Sequence, residues 1–380
     1  SLRGERVMTR HRLPVVFMRG GTSKGLFFHE HDLPTDPILR DKLLLSAMGS
    51  PDPFGRQLNG MGGGLSSLSK VIIVRPSQRP DADIDYLHGQ VAVDRPEIDY
   101  SGNCGNLSAA VGPFAIDEKL IPAGPDGDQR VRLHNLNSGA LIHARVPVRD
   151  GGFEPTGDFP LPGVAGLGSR VALDYLGAGA ALFPSGRAVN RLRTSVGEIE
   201  ATAAVASMPC VFVRAADVGL SADQTPDAIE ADAAAMALLE EIRRAAGVLM
   251  GLAATADKVP LATPKVGIVA PPAPYRALDG SLVQAADCDL LVRVLSMGKP
   301  HKALPLTAAM CLAAACLAEG SLPRQAAAEP SGPEIRLGAA SGVVAVGSRL
   351  SGSPNNPTVE GSIVYATARR LLEGAVYGET

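Results

Sequence analysis

The 380-residue sequence predicts an α+β fold of two pseudo-symmetric halves, each a set of strands wrapped around one buried helix. Three observations carry this expectation. Residues 208–214 echo 13–19 and residues 263–269 echo 68–74, and the step is the same from Pro14 to Pro209 as from Lys70 to Lys265. Two alanine-rich helices, one beginning after Cys104 and one at Leu306, are apolar almost all round, as a helix buried on every side must be. Each follows a strand and a glycine-containing loop. The expected division is 1–190 and 191–380, with each half large enough for its own core.

A net charge of −3 gives no excess of positive charge for nucleic acid or an anionic membrane, so an anionic ligand must be held by a local cluster. The absence of Trp and an aromatic content of 4% argue against a base-stacking surface. The cysteines (Cys104, Cys210, Cys288, Cys311 and Cys316) are widely spaced without a CxxC pair, which suggests neither a disulfide framework nor a zinc site. The polar, basic start has no apolar stretch behind it and does not read as a secretory signal, with Met8 as a natural start. The longest apolar run, 304–318, contains Pro305 and is too short to span a bilayer. A cytoplasmic protein with a small-molecule partner is expected, without nucleic acid or membrane.

Taken in order, residues 13–18 read as a buried strand running into the loop Arg19-Gly20-Gly21-Thr22-Ser23-Lys24-Gly25, after which a strand resumes. Such a loop either presents amides and hydroxyls to a carboxylate or phosphate, or is a tight hairpin whose glycines supply positive φ. Residues 37–48 read as an amphipathic helix ending near Gly49. A second glycine loop, 59–70, opens onto the β-branched run Val71-Ile72-Ile73-Val74. A lysine at the buried start of a strand is uncommon, because an unpaired charge there is costly. Partial desolvation of Lys70 would favour its neutral amine, a usable general base. The plain alternative is a solvated lysine flanking the strand. The stretch Gly62-Gly63-Gly64-Leu65-Ser66-Ser67 also suggests the phosphate loop of small-molecule kinases, but in those a helix follows and here a strand does.

Residues 81–86 and 89–93 read as paired strands leading to Ser101-Gly102-Asn103-Cys104-Gly105-Asn106. A cysteine there stands at the start of an apolar helix, where unpaired amides and the positive dipole end favour thiolate and attract anions. Asn103 and Asn106 can cap that helix or meet a ligand carboxylate. Residues 131–148 alternate as a hairpin turning at Asn137-Ser138-Gly139, with His134 and His143 as sheet residues and not metal ligands. Residues 150–168 form a Gly/Pro-rich loop. In the second half, 226–250 reads as one long amphipathic helix. Residues 290–295 read as a strand leading through Ser296-Met297-Gly298-Lys299-Pro300-His301-Lys302 to the second buried helix, with Cys311 and Cys316 in its core. A polar surface loop at 320–332 and a final helix at 367–373 close the chain.

Four motifs, MRGGTSKG (18–25), GMGGG with SKVIIV (60–74), SGNCGN with GPFAI (101–116) and MGKPHKA (297–303), together resemble those of the PrpF-type isomerases of the diaminopimelate epimerase fold superfamily. The resemblance implies two halves, each a curved antiparallel sheet around a central helix, with the active site between them and neither cofactor nor metal. It implies that Lys70 is the general base, taking a proton from a carbon next to a conjugated carboxylate or ketone. Cys104 would be its acid–base partner or a group that orients substrate. The superfamily's racemases use one cysteine from each half. Here the second-half loop carries Lys299, His301 and Lys302 instead, which fits an isomerase that moves a double bond.

Thr22, Ser23 and the amides of Gly62, Gly63 and Gly64 would stabilise the dienolate. Arg19, Lys299, His301 and Lys302 would neutralise a di- or tricarboxylate. Ser69, Asn103, Gly105, Asn106 and Met297 would complete the site. Of the substrates handled by members of this family, 4-oxalomesaconate from the catabolism of lignin-derived aromatics is expected, with 2-methylaconitate as the alternative, in a homodimer.

Overall fold

The computed structural model describes residues 8–101, 104–329 and 334–380; Asn103, one of the expected binding residues, lies outside them. In the first unit, β1 (Arg10–Gly20) and β2 (Ser23–His29) form an antiparallel hairpin, with Gly21 at a φ of 55° in the turn. That position needs glycine, and a tight hairpin is what the first glycine loop makes. Next in sequence is α1 (Pro37–Met48), started by Asp36, whose carboxylate accepts the amide of Ile38, and stopped by Gly49 at a φ of 82°. Strand β2 runs parallel to β3 (Lys70–Pro76), and β3 runs antiparallel to β4 (Ile84–Val91). The chain then enters α2 (Gly105–Asp117), whose residues 107–116 are all buried. Strand β5 (Gly127–Asn135) lies parallel to β4 and antiparallel to β6 (Leu141–Arg149).

The second unit repeats this order. Strand β7 (Gly197–Ala206) pairs antiparallel with β8 (Met208–Arg214). Two helices follow, α3 (Pro226–Ala231) and α4 (Ala233–Leu249). Strand β8 lies parallel to β9 (Lys265–Ala270), and β9 antiparallel to β10 (Leu290–Ser296). The central helix here is α5 (Leu306–Leu317), buried throughout 308–316 and followed by the short α6 (Leu322–Ala326). Strand β11 (Glu334–Ala339) is parallel to β10 and antiparallel to β12 (Gly342–Ser351). No helix among the described residues is long and apolar enough to cross a membrane.

The repeat extends to side chains. In the first unit the Arg132 amide and guanidinium bond both Asp83 carboxylate oxygens (2.8 and 2.9 Å), and the same guanidinium reaches the Pro80 carbonyl. In the second, Arg336 bonds both oxygens of Asp289 (2.7 and 2.9 Å) and reaches the Ala286 carbonyl. Each aspartate in turn donates its amide to its arginine's carbonyl. These two clamps tie the start of β4 to β5 and the start of β10 to β11.

Several expectations give way. The units are Ser1–Tyr175 with Tyr365–Thr380, and Leu176–Val364, so the boundary is not at 190/191. The C-terminal residues return to the first unit because Ala368–Glu379 is a strand paired antiparallel with β1, not a helix at 367–373. The pairing with β1 overrides the helical propensity of Arg, Leu and Glu there. The helix at 226–250 breaks at Asp232, whose carboxylate caps α4 by accepting the Ala235 amide. Residues 81–93 hold one strand where two were expected. Gly89 continues β4, and a Cβ there would lie 2.8 Å from both Val71 and Ile98, so this glycine serves close packing and not a turn. Leu322 and Pro323 of α6 are buried within what was expected to be a surface loop. Finally, β8 occupies the place of β2 and not that of β1, so the echo of 13–19 in 208–214 reflects similar composition only. The echo of Lys70 in Lys265 is structurally true.

Candidate active site

Three of the expected segments meet in the first unit. Gly25 sits beside Lys70 in the parallel β2–β3 pair, and a Cβ there would be 2.8 Å from the Lys70 carbonyl and 2.9 Å from Leu107 in the first turn of α2. A Cβ on Gly20 would be 2.8 Å from the Asn106 carbonyl, and one on Gly21 would overlap the Asn106 side chain. The Thr22 amide donates to Asn106 Oδ1 at 3.3 Å. The β1–β2 turn therefore lies directly on the N-terminus of α2, where Cys104 is the residue before the first helical position.

Lys70 is buried (8% exposed), so the reading of a solvated lysine fails. Its amine bonds Gln90 Oε1 at 2.5 Å, and Gln90 stands opposite it in the β3–β4 register. The Gln90 amide is itself fixed by two carbonyls, those of Ser66 and Ser69 (2.9 and 3.0 Å). Among the described residues no carboxylate is within ion-pair reach of the Lys70 amine. A neutral amide oxygen thus fixes the position of the Lys70 amine.

Cys104 is 7% exposed, and its carbonyl accepts the Ser108 hydroxyl at 3.0 Å. Ser108 Oγ lies 2.7 Å from the Tyr86 hydroxyl. Burial pushes the Tyr86 phenol up to about 12, so it stays neutral and anchors the helix start from beneath. Asn137, in the β5–β6 turn, donates to the carbonyls of His88 and Tyr100 (2.8 and 2.7 Å), holding the segment that leads into 101–104. Nothing in the motifs points to Gln90, Ser108, Tyr86 or Asn137. Their partners lie across strand pairings or one helical turn away, and only register reveals them.

Other expected residues are used differently. The amides of Gly62, Gly63 and Gly64 are spent on the Met48 carbonyl, the Leu68 carbonyl and Gln57 Oε1, so they offer nothing to a dienolate or to a kinase phosphate. Ser69 is fully buried, donating to the Val91 carbonyl and accepting from Gln57, so it cannot touch substrate. The Arg19 guanidinium bonds the Gly21 carbonyl and both the carbonyl and hydroxyl of Thr367, locking the β1–β2 turn (2.9, 3.0 and 2.9 Å). Ser23 is buried, Thr22 is exposed, and Gly105 and Asn106 are half-buried at the start of α2. In the second unit, Met297 is exposed at a φ of 52°. Lys299 is exposed, with Glu230 at 3.9 Å, and Lys302 is exposed as well. His301 uses Nδ1 to accept the Ala303 amide, and burial pushes its pKa down, which leaves a neutral ring and not a cation for substrate.

Paired sheets around central helices are the diaminopimelate epimerase-like fold, and the relatives of this chain are named isomerases. The family model for the PrpF protein matches residues 10–379, and the chain belongs to that family. It is 42% identical over 382 residues to the 2-methyl-aconitate isomerase of Cupriavidus necator, with 96% of each chain covered. It is 37% identical over 368 residues to the (4E)-oxalomesaconate Delta-isomerase of Novosphingobium sp. (strain KA1), covering 96% of this chain and 97% of that relative. The crystal structure of a methylitaconate-delta-isomerase matches with a TM-score of 0.88 at 38% identity, over 97% of this chain and 96% of that one.

Proposed function

We propose that this isomerase acts on a small unsaturated tricarboxylate, with 2-methylaconitate as the substrate and Lys70 as the base. The observation that carries the reading is the buried Lys70 amine, held among the described residues by the neutral Gln90 amide. The neutral amine takes a proton from a carbon allylic to the double bond. The electron pair left behind spreads through the alkene into the conjugated carboxylate as a dienolate, and the original double bond becomes single in character. Rotation followed by reprotonation at the same carbon gives the other geometric isomer. Reprotonation at the far end of the allyl unit moves the double bond. Cys104 returns the proton or orients the substrate at the helix start, where the dipole steadies negative charge.

The higher identity to the 2-methyl-aconitate isomerase (42% against 37%) moves the choice of substrate away from 4-oxalomesaconate, which the sequence alone favoured. Steady-state kinetics with each compound tests this. The expected result is a kcat/KM for 2-methylaconitate at least about tenfold above that for 4-oxalomesaconate, a difference of about 1.4 kcal/mol in transition-state stabilisation. The reverse ratio would return the assignment to 4-oxalomesaconate.

A further inference from the structure

We propose that Gln57 is a positioning residue for Lys70, acting through Ser69 and Gln90, and that the glycine motif at 62–64 exists to hold Gln57. This rests on the isomerase reading above, with Lys70 as the base. Every residue involved belongs to the first unit.

Gln57 is fully buried (0% exposed) and stands at a φ of 55°, a left-handed conformation that side chains other than glycine rarely adopt. Its amide donates to the Asp52 carboxylate, which also accepts the amides of Phe54 and Arg56 and so builds the turn that keeps Gln57 there. A long polar side chain buried whole on strained backbone is a cost, and such strain gathers where function requires it. All of its polar atoms are engaged. Nε2 donates to the hydroxyls of Ser50 and Ser69 (2.9 and 2.8 Å), and Oε1 accepts the Gly64 amide at 2.9 Å. A Cβ on Gly62 would lie 2.2 Å from Gln57 Cδ, and Gly64 needs its φ of 74°. The glycine motif, expected to cradle substrate, cradles the Gln57 side chain.

From Gln57 the contacts run on to the base. Ser69 is the residue before Lys70. Its hydroxyl accepts from Gln57 and donates to the Val91 carbonyl at 2.8 Å, while its carbonyl accepts the Val91 amide at 3.0 Å. The same Ser69 carbonyl accepts Gln90 Nε2, and Gln90 Oε1 meets the Lys70 amine. One side chain, Gln90, links the clamp on Ser69 to that amine. Without Gln57 the Ser69 hydroxyl loses its outer partner at the point where β3 begins and Lys70 is aimed, and small misplacements of a reacting group cost rate.

The test is Gln57→Met, which keeps the length of the side chain and removes its amide, in the full-length protein with 2-methylaconitate as substrate. Each variant is assayed well below its own unfolding midpoint. We expect kcat to fall about 5- to 20-fold with KM within about twofold of wild type. A side chain needed only for folding would not produce that split. In a Gln90→Leu background the same substitution should lower kcat by less than about twofold more, because the two residues act along one path. Ser69→Ala removes the hydroxyl between them; it should lower kcat in the same way, and it gives the readout if Gln57→Met does not fold. Wild-type kcat in the folded variants overturns the proposal, as does a raised KM at unchanged kcat. So do losses from Gln57→Met and Gln90→Leu that simply multiply. A wild-type protein inert toward both 2-methylaconitate and 4-oxalomesaconate, or a Lys70→Ala variant as active as wild type, would instead overturn the reading beneath it.

Discussion

Lys70 owes its position to side chains outside its own motif. Gln90 holds the amine, the Ser66 and Ser69 carbonyls hold Gln90, and Gln57 holds both Ser69 and the Gly64 amide. Replacing Gln90 by Leu should lower kcat by about 10- to 100-fold with little change in KM, because substrate still binds while the base loses its aim. Steady-state kinetics on the folded variant checks this. Lys70 and Cys104 were visible in the sequence because a charge at a strand start and a thiol at a helix start are local anomalies. Gln90 was hidden because its role depends on the β3–β4 register. The glycines were visible for the wrong reason: Gly62 has no room for a Cβ against the Gln57 side chain, and its amide is already spent on Met48.

At the scale of elements, β2, β3 and the first turn of α2 are pressed together at Gly25. A methyl group there meets the Lys70 carbonyl, which is backbone and cannot turn aside, as well as the Leu107 Cδ1 methyl. Gly25→Ala should therefore cost about 1–3 kcal/mol of stability and most of the activity, read from denaturant unfolding and an isomerase assay on the same preparation. The buried helices were legible from their all-round apolarity, and the β5–β6 hairpin from its alternation. The C-terminal strand was not. Its Arg, Leu and Glu favour a helix locally, and only β1, more than 300 residues earlier, makes it a strand. The break at Asp232 could have been read from the sequence, since an aspartate inside a helical pattern is a natural cap.

For the molecule as a whole, the repeat is deeper in structure than in sequence. The Asp83–Arg132 and Asp289–Arg336 clamps occupy the same place in each unit, yet neither lies in a segment that repeats visibly. Asp289→Ala should destabilise by about 2–4 kcal/mol, since Asp289 is 1% exposed and its loss strips Arg336 of two bonds. The Asp83 clamp has a pH signature. Burial pushes the Asp83 carboxyl up, but its bonds to Arg132 more than offset this and leave it below the ordinary carboxylate value. A depressed folded pKa gives stability that is whole above the unfolded value and lost as pH falls through the folded one. The melting temperatures of wild type and Asp83→Asn should therefore differ at neutral pH and converge in acid.

The central claim is that Lys70 moves a proton on carbon. Proton NMR of 2-methylaconitate in deuterium oxide tests it directly, with wild type and Lys70→Ala side by side. Deuterium should enter an allylic carbon as the isomer forms with wild type, and both exchange and isomerisation should fall by about 10²–10⁴-fold in Lys70→Ala. Exchange that persists at the wild-type rate in Lys70→Ala would contradict the account and shift the base to another residue.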